Sequence, residues 1–159
     1  MLAINNTTRQ KINLKKTRVI AEEFLRAYKK SDWEVSLAIV GDTAMRRLNR
    51  DYRGQDKTTD VLSFSVSKNS GEIIINIQEA KRVKKYEEML AELGIDRVCA
   101  GRRGSLIAQS QDYIFYFLLV HGLLHLLGYN DETDQERRRM LKKGKEFLEF
   151  YFRLLKKVL

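Results

Sequence analysis

Trp33 to Val40 alternates apolar and polar residues, with Trp33, Val35, Leu37 and Ile39 on one side, the two-residue rhythm of a half-buried strand. Thr17 to Lys30 follows a helical rhythm instead, placing Val19, Ile20, Phe24, Ala27 and Tyr28 on the inner side of an amphipathic helix. Asp42 or Thr43 predicts the cap of a second helix through Met45, Leu48 and Tyr52. A polar loop covers 53–58. Two apolar runs follow, Thr59 to Val66 and Glu72 to Ile77, joined by the turn-like Ser67-Lys68-Asn69-Ser70-Gly71, and this predicts an antiparallel hairpin. Met1 to Asn5 reads as a short edge strand and Ile12 to Leu14 as a weaker strand candidate.

Beyond the hairpin the pattern is helical. Ile77 to Leu93 predicts a charged helix ending at Gly94, with 95–103 irregular after it. Ser105 then opens an apolar helix. A last helix starts at Asp131 or Thr133 and runs to about Val158, with Met140, Leu141, Phe147, Leu148, Tyr151 and Leu155 as its apolar face. Tyr113 to Tyr129 holds no Asp, Glu, Lys or Arg. The stretch falls short of the ~20 residues that span a bilayer and contains both histidines and two glycines, so it reads as a buried central helix. Strands first and mostly helices afterwards predict an α+β fold: a small mixed sheet covered by helices, with the histidine helix most buried. No repeat or Pro/Ser/Gly-rich linker divides the chain, and residues 1–159 read as a single domain.

Composition narrows the partners. Hydrophobic residues at 43% and charged residues at 32% exclude a disordered chain. One cysteine, Cys99, excludes an internal disulfide framework and fits a reducing compartment. The first residues show neither a basic leader nor a long apolar core, so the expectation is a cytoplasmic protein with no membrane partner. Thirty Lys and Arg against twenty-one Asp and Glu give a net +9, which favours a polyanion. A heat-adapted surface would account for the number of charges but not for their imbalance. Basic clusters fall at Arg46-Arg47 with Arg50, at Lys81-Arg82 and Lys84-Lys85, at Arg102-Arg103, and at Arg137-Arg138-Arg139 with Lys142-Lys143. Arg102, Arg103 and Arg137 flank the histidine segment and are the first candidates among them for polyanion contact. Aromatic residues sit mostly at core-like spacings, so no base-stacking platform is read from them.

The chemistry concentrates in Val120-His121-Gly122-Leu123-Leu124-His125-Leu126-Leu127-Gly128-Tyr129-Asn130-Asp131. It holds the only two histidines of the chain, and their i, i+4 spacing brings both imidazoles to one helical face. Gly128 suits a left-handed helix end that turns the chain back. Asp131 stands open between two compatible readings, a third metal ligand or the N-cap of the last helix. Two His and one Asp would hold a metal and keep a fourth position open. In His-Glu-x-x-His proteases the Glu after the first His is the general base. Gly122 occupies that place here and can neither take a proton nor orient a water.

These residues resemble the signature of the YbeY-type endoribonucleases, His-Gly-x-Leu-His-Leu-x-Gly-Tyr-Asp-His. A second block of that family, Tyr-Arg-Gly-x-Asp-Lys-x-Thr-Asp-Val-Leu-Ser-Phe-Pro, is similar to Tyr52 through Ser65. A third, Leu-Gly-Asp-Ile-x-Ile, is loosely matched by Ser70 through Ile75. The resemblance implies a metal-dependent single-strand endoribonuclease of 16S rRNA 3′-end maturation and ribosome quality control, acting on rRNA precursor at the ribosome or its small subunit. It implies His121, His125 and Asp131 as ligands of one divalent ion, zinc first, with Asp131 widening the choice toward harder metals. It implies His121 and Arg53 as catalytic residues, and Arg53 and Lys57 as phosphate contacts. Asp60 and Ser63 read as holding loop and sheet together. The chain departs from the family at Asp131, where the third ligand is His, at Ser65, where a proline stands, and at Gln55, which removes one phosphate contact. Two other functions stay in view: a non-catalytic RNA- or ribosome-associated factor with a structural metal, and a metal-dependent hydrolase of another substrate.

Overall fold

The computed structural model describes residues 2–92 and 106–158. Four strands form one mixed sheet in the order β1-β2-β4-β3. β1 (Leu2–Asn6), β2 (Glu34–Val40) and β4 (Ser70–Asn76) run parallel, and β3 (Val61–Ser67) closes the far edge antiparallel to β4. Parallel neighbours need a crossover. α1 (Leu14–Ala27) supplies it between β1 and β2, while α2 (Asp42–Arg53) and β3 together connect β2 to β4. Ser67 pairs with Ser70, so the β3–β4 hairpin turns on Lys68 and Asn69.

The strand alternation decides which side is covered. Val35, Leu37 and Ile39 of β2 join Ile73 and Ile75 of β4 in the main core, which also takes in α1 and α5 (Leu106–Leu126). On the opposite face Val40, Leu62 and Ile74 meet Met45 of α2 in a smaller cluster. α5 shows no apolar stripe because it is covered on every side. Residues 113–120 are buried throughout, and the helix touches β3, β4, α1, α3 (Ile77–Lys81), α4 (Val83–Glu92) and α6 (Asp134–Val158). A helix apolar all round belongs in the centre of its fold, and among the described residues no helix is long and apolar enough to cross a membrane.

Several boundaries differ from those the sequence predicts. Ile12 to Leu14 forms no strand, because the Asn13 side chain accepts from Lys16 N at 2.9 Å and caps α1, which starts at Leu14 rather than Thr17. The buried face of α1 is Ile20, Ala21, Phe24 and Leu25, with Ala27 exposed. Neither Asp42 nor Thr43 caps α2. Gly41 does, without a side-chain bond, since the Asp42 carboxylate is held by Asn76 and Arg82. The helix predicted from Ile77 is interrupted at Arg82, whose guanidinium ties Asp42 to the buried Glu79. Lys85 completes the pairing of Glu79 at 2.8 Å. Thr133, not Asp131, starts α6. Its Oγ1 accepts from Glu136 N while the Glu136 carboxylate accepts from Thr133 N and Oγ1, a reciprocal capping box. The expected helix end at Gly94, the irregular stretch 95–103 with Arg102 and Arg103, and the Ser105 cap lie outside the described residues, as does the side chain of Leu155.

Asn76 joins the sheet to the loops around the site. Fully buried at the end of β4, it donates to Asp42 Oδ1 at 2.8 Å, Thr58 Oγ1 at 2.9 Å and the Thr59 carbonyl at 3.3 Å. Its Oδ1 accepts from Gln78 N at 3.1 Å and caps α3. Asn76→Ala removes hydrogen bonds from the Asp42 carboxylate, the Thr58–Thr59 loop and the start of α3 together, an expected loss of about 3 kcal/mol. A thermal melt should register it as a midpoint lower by roughly 6–12 °C.

Candidate metal centre

The C-terminus of α5 builds the site. Gly128 adopts φ 87°, the left-handed conformation that glycine takes without strain. Gly128 N then donates to the His125 carbonyl at 2.9 Å and Tyr129 N to the Leu124 carbonyl at 3.1 Å, the paired bonds of a Schellman end. This turn presents the Tyr129 carbonyl to the histidine one turn back, and His125 Nδ1 lies 2.9 Å from it. A carbonyl only accepts, so Nδ1 carries the proton and Nε2 keeps a lone pair. The chain folds back over the helix end and brings Asp131 to that lone pair.

Three donors converge there. His121 Nε2 and His125 Nε2 are 3.2 Å apart, and Asp131 Oδ2 is 3.3 Å from the first and 3.7 Å from the second. Donors bonded at 2.0–2.1 Å to one tetrahedral ion lie about 3.3–3.4 Å from each other. Two of the three separations match that edge and the third is slightly wider. Among the described residues this is the one group of three such donors that could hold a metal ion. Facing nitrogen lone pairs repel unless a proton or a cation stands between them, so the donor set fits a divalent ion.

Charge follows the same logic. Burial holds the His125 imidazole below its ordinary pKa, helped by the neighbouring His121, so this ring is neutral and able to coordinate. The hydrogen bond with His121 lowers the Asp131 carboxyl and keeps it ionised. The Thr133–Glu136 box matters here, because it leaves Asp131 free of capping.

The three donors line a cavity of about 400 Å³ shared with Arg53, Thr59, Asp60, Val61, Ser63, Asn130 and Glu132. Arg53 enters from the last turn of α2. His121 Nδ1 and Ser63 Oγ are buried without a hydrogen-bond partner. Such orphans are rare in folded proteins, and both belong to residues of this wall. Asp60 is engaged structurally, accepting from Val61 N at 2.9 Å and Tyr86 OH at 3.1 Å. Lys57 is exposed and does not line the cavity; its carbonyl accepts from Asn49 at 2.8 Å. Arg137 is exposed in the first turn of α6, also off the cavity wall. Sequence reasoning missed the Tyr129 carbonyl, a backbone group without a residue-type signal. It also missed the capping box, which the Thr-x-x-Glu pattern at Thr133 to Glu136 spells out.

The sequence model of a family described as Endoribonuclease YbeY matches residues 3–151. A Leptospira interrogans protein of that name is 38% identical over 79% of this chain and 92% of its own. One from Geobacter sulfurreducens is 33% identical over 89% of both. One from an Anaeromyxobacter species is 34% identical over 83% of this chain, which spans 62% of that relative's length. The fold is similar to the solution structure of a Thermotoga maritima protein, with a TM-score of 0.57, 24% identity and coverage of 96% and 92%.

Proposed function

The chain belongs to the YbeY endoribonuclease family, and from that premise we propose that it is a metal-dependent endoribonuclease of single-stranded RNA, folded as one domain over residues 1–159. His121, His125 and Asp131 hold one divalent ion. The observation that carries this reading is the triangle of donors sharing its cavity with Arg53. When bound, the ion supplies Lewis-acid polarisation of the scissile phosphate.

The chain's own groups do the rest. Tyr129 fixes the His125 ring through Nδ1, and Asp131 contributes the negative charge that holds a cation. Arg53 pairs with the phosphate oxygens through its planar fork and stabilises the charge that grows on them. Gly122 offers no base on α5, which suits a substrate whose own 2′-hydroxyl can act as nucleophile. Two imidazoles favour zinc, and the carboxylate extends the range to harder ions. The net +9 suits rRNA precursor. We assign the work to 16S rRNA 3′-end maturation and ribosome quality control at the small ribosomal subunit in the cytoplasm, a reading that membership of the family supports. Lys57, Arg102, Arg103 and Arg137 are assigned to outer phosphate contacts.

The test couples metal content to cleavage. A chelator should abolish cutting of single-stranded RNA, and adding metal back should restore it. Arg53→Ala should lower the cleavage rate by roughly 10²–10³-fold while the protein still carries one ion per chain. Arg53→Lys should recover only part, since an ammonium lacks the bidentate fork. Protein that retains its ion and cuts no RNA with any divalent metal would overturn the enzyme reading. A structural-metal role would instead show as a large drop in melting temperature with chelator and RNA affinity that tracks salt alone.

A further inference from the structure

Met45, Leu48 and Tyr52 form the apolar stripe of α2, but only the first two are covered. The stripe overruns the sheet beside the edge strand β3, and Tyr52 is left 67% exposed. Its ring lies against Phe64 of β3, with centroids 5.2 Å apart and planes at 49°. Val66, two residues along the same strand, is 70% exposed. The aromatic pair is one residue from Arg53, whose side chain lines the metal cavity. Along the same helix Arg46, Arg47 and Arg50 line a cleft of about 560 Å³ with Thr43, Ala44 and Asp56. Asp56 pairs with Arg46 and Asp51 with Arg50. Among the described residues Arg47 and Arg53 stand in no ion pair.

An exposed flat ring backed by a second ring, beside unpaired guanidinium groups, fits a polymer of flat faces joined by anions. We propose that Tyr52, supported by Phe64, is a stacking subsite for the base next to the scissile phosphate, and that the Arg47 cleft holds the strand beyond it. This deepens the endoribonuclease reading and rests on it. A protein partner fits less well. Tyr52 and Val66 are the only exposed large hydrophobic residues on this part of the described surface, and Tyr52 stands on a helix that carries Arg46, Arg47, Arg50 and Arg53. Base stacking is sequence-tolerant because every base has a π-face, so the subsite grips single-stranded RNA without selecting its sequence.

Binding of a labelled single-stranded RNA with nuclease-resistant phosphorothioate linkages to the metal-loaded protein tests the proposal. Tyr52→Ala should raise Kd roughly tenfold, the loss expected for one stacked base, with metal content and salt dependence unchanged. Arg47→Ala should reduce the slope of log affinity against log salt by about 0.7, one phosphate contact on a single strand. Tyr52→Trp should keep the affinity, and its added fluorescence should be quenched as RNA binds; the native Trp33 is 7% exposed and stays a constant background. Tyr52→Ala binding within twofold of the parent, or an unquenched Tyr52→Trp, would overturn the subsite and leave the patch to a protein partner. Parent protein that binds this RNA but cuts no natural RNA would sink the cleavage reading and spare the subsite. Parent protein that binds no single-stranded RNA would sink both.

Discussion

His121→Ala and His125→Ala should each release the bound ion and lower RNA cleavage by at least about 10³-fold, the scale of several kcal/mol of lost metal-ion stabilisation. Each substitution leaves two donors where three converge, and the remaining pair cannot close a face around a cation. The two variants should differ in stability. His121 is the more enclosed ring, with a side chain 14% exposed against 26% for His125, and it stacks on Phe117 at 6.4 Å. His125→Ala instead frees the Tyr129 carbonyl at a helix end that water can reach. Metal analysis of the purified variants beside a cleavage assay checks both expectations. A variant that keeps one ion per chain and full activity would remove its histidine from the ligand set. Asp131→Ala, which also leaves two donors, should lose the ion as well, and Asp131→His should keep it, since the position and not the carboxylate alone closes the triangle.

What could be read in advance follows where local chemistry was sufficient. The alternation in β2, the β3–β4 turn and the i, i+4 histidines depend on neighbours a few residues away, and the sheet and the donor pair follow from them. α5 carried no period to read over residues 113–120, because burial throughout makes every one of those positions apolar. Its centrality was legible from the absence of charge instead. The errors came from long-range partners. Asp42 has the residue type of an N-cap, yet Asn76, thirty-four positions on, claims its carboxylate. The helix from Ile77 breaks where Arg82 reaches back to Asp42, forty positions away. Tyr52 fits a buried stripe by spacing, and only its place at the sheet edge, against Phe64, shows that most of the side chain stays exposed. For the site, spacing supplied two candidate ligands but left Asp131 shared with a cap. The Thr133 box settles the capping role.

Gly122 carries the second large effect. Its position faces the sheet, and a Cβ built there would meet Ile73 Cγ2 at 2.8 Å, Ser63 Oγ at 3.1 Å and Ile73 Cδ1 at 3.3 Å. Cγ2 is fixed to the branched carbon of a fully buried side chain, so it cannot swing aside. In an open helix Gly→Ala stabilises by about 1 kcal/mol. Here overpacking of about 1–3 kcal/mol opposes that gain, and Gly122→Ala should destabilise on balance. The strain would be relieved by lifting α5 from β3 and β4, which displaces His121 from Asp131, so metal affinity should fall with the melting temperature. Gly122→Glu, the residue of the protease motif, would press a carboxylate against Ile73 and the unpartnered Ser63. An unpaired buried charge costs several kcal/mol, a large part of the 5–15 kcal/mol that holds a domain folded, and no folded protein is expected. The absent general base is thus a packing requirement: the helix that carries the ligands lies too close to the sheet to carry a glutamate between them. Gly122→Ala melting at or above the parent would show that the helix has room, and would undo this account.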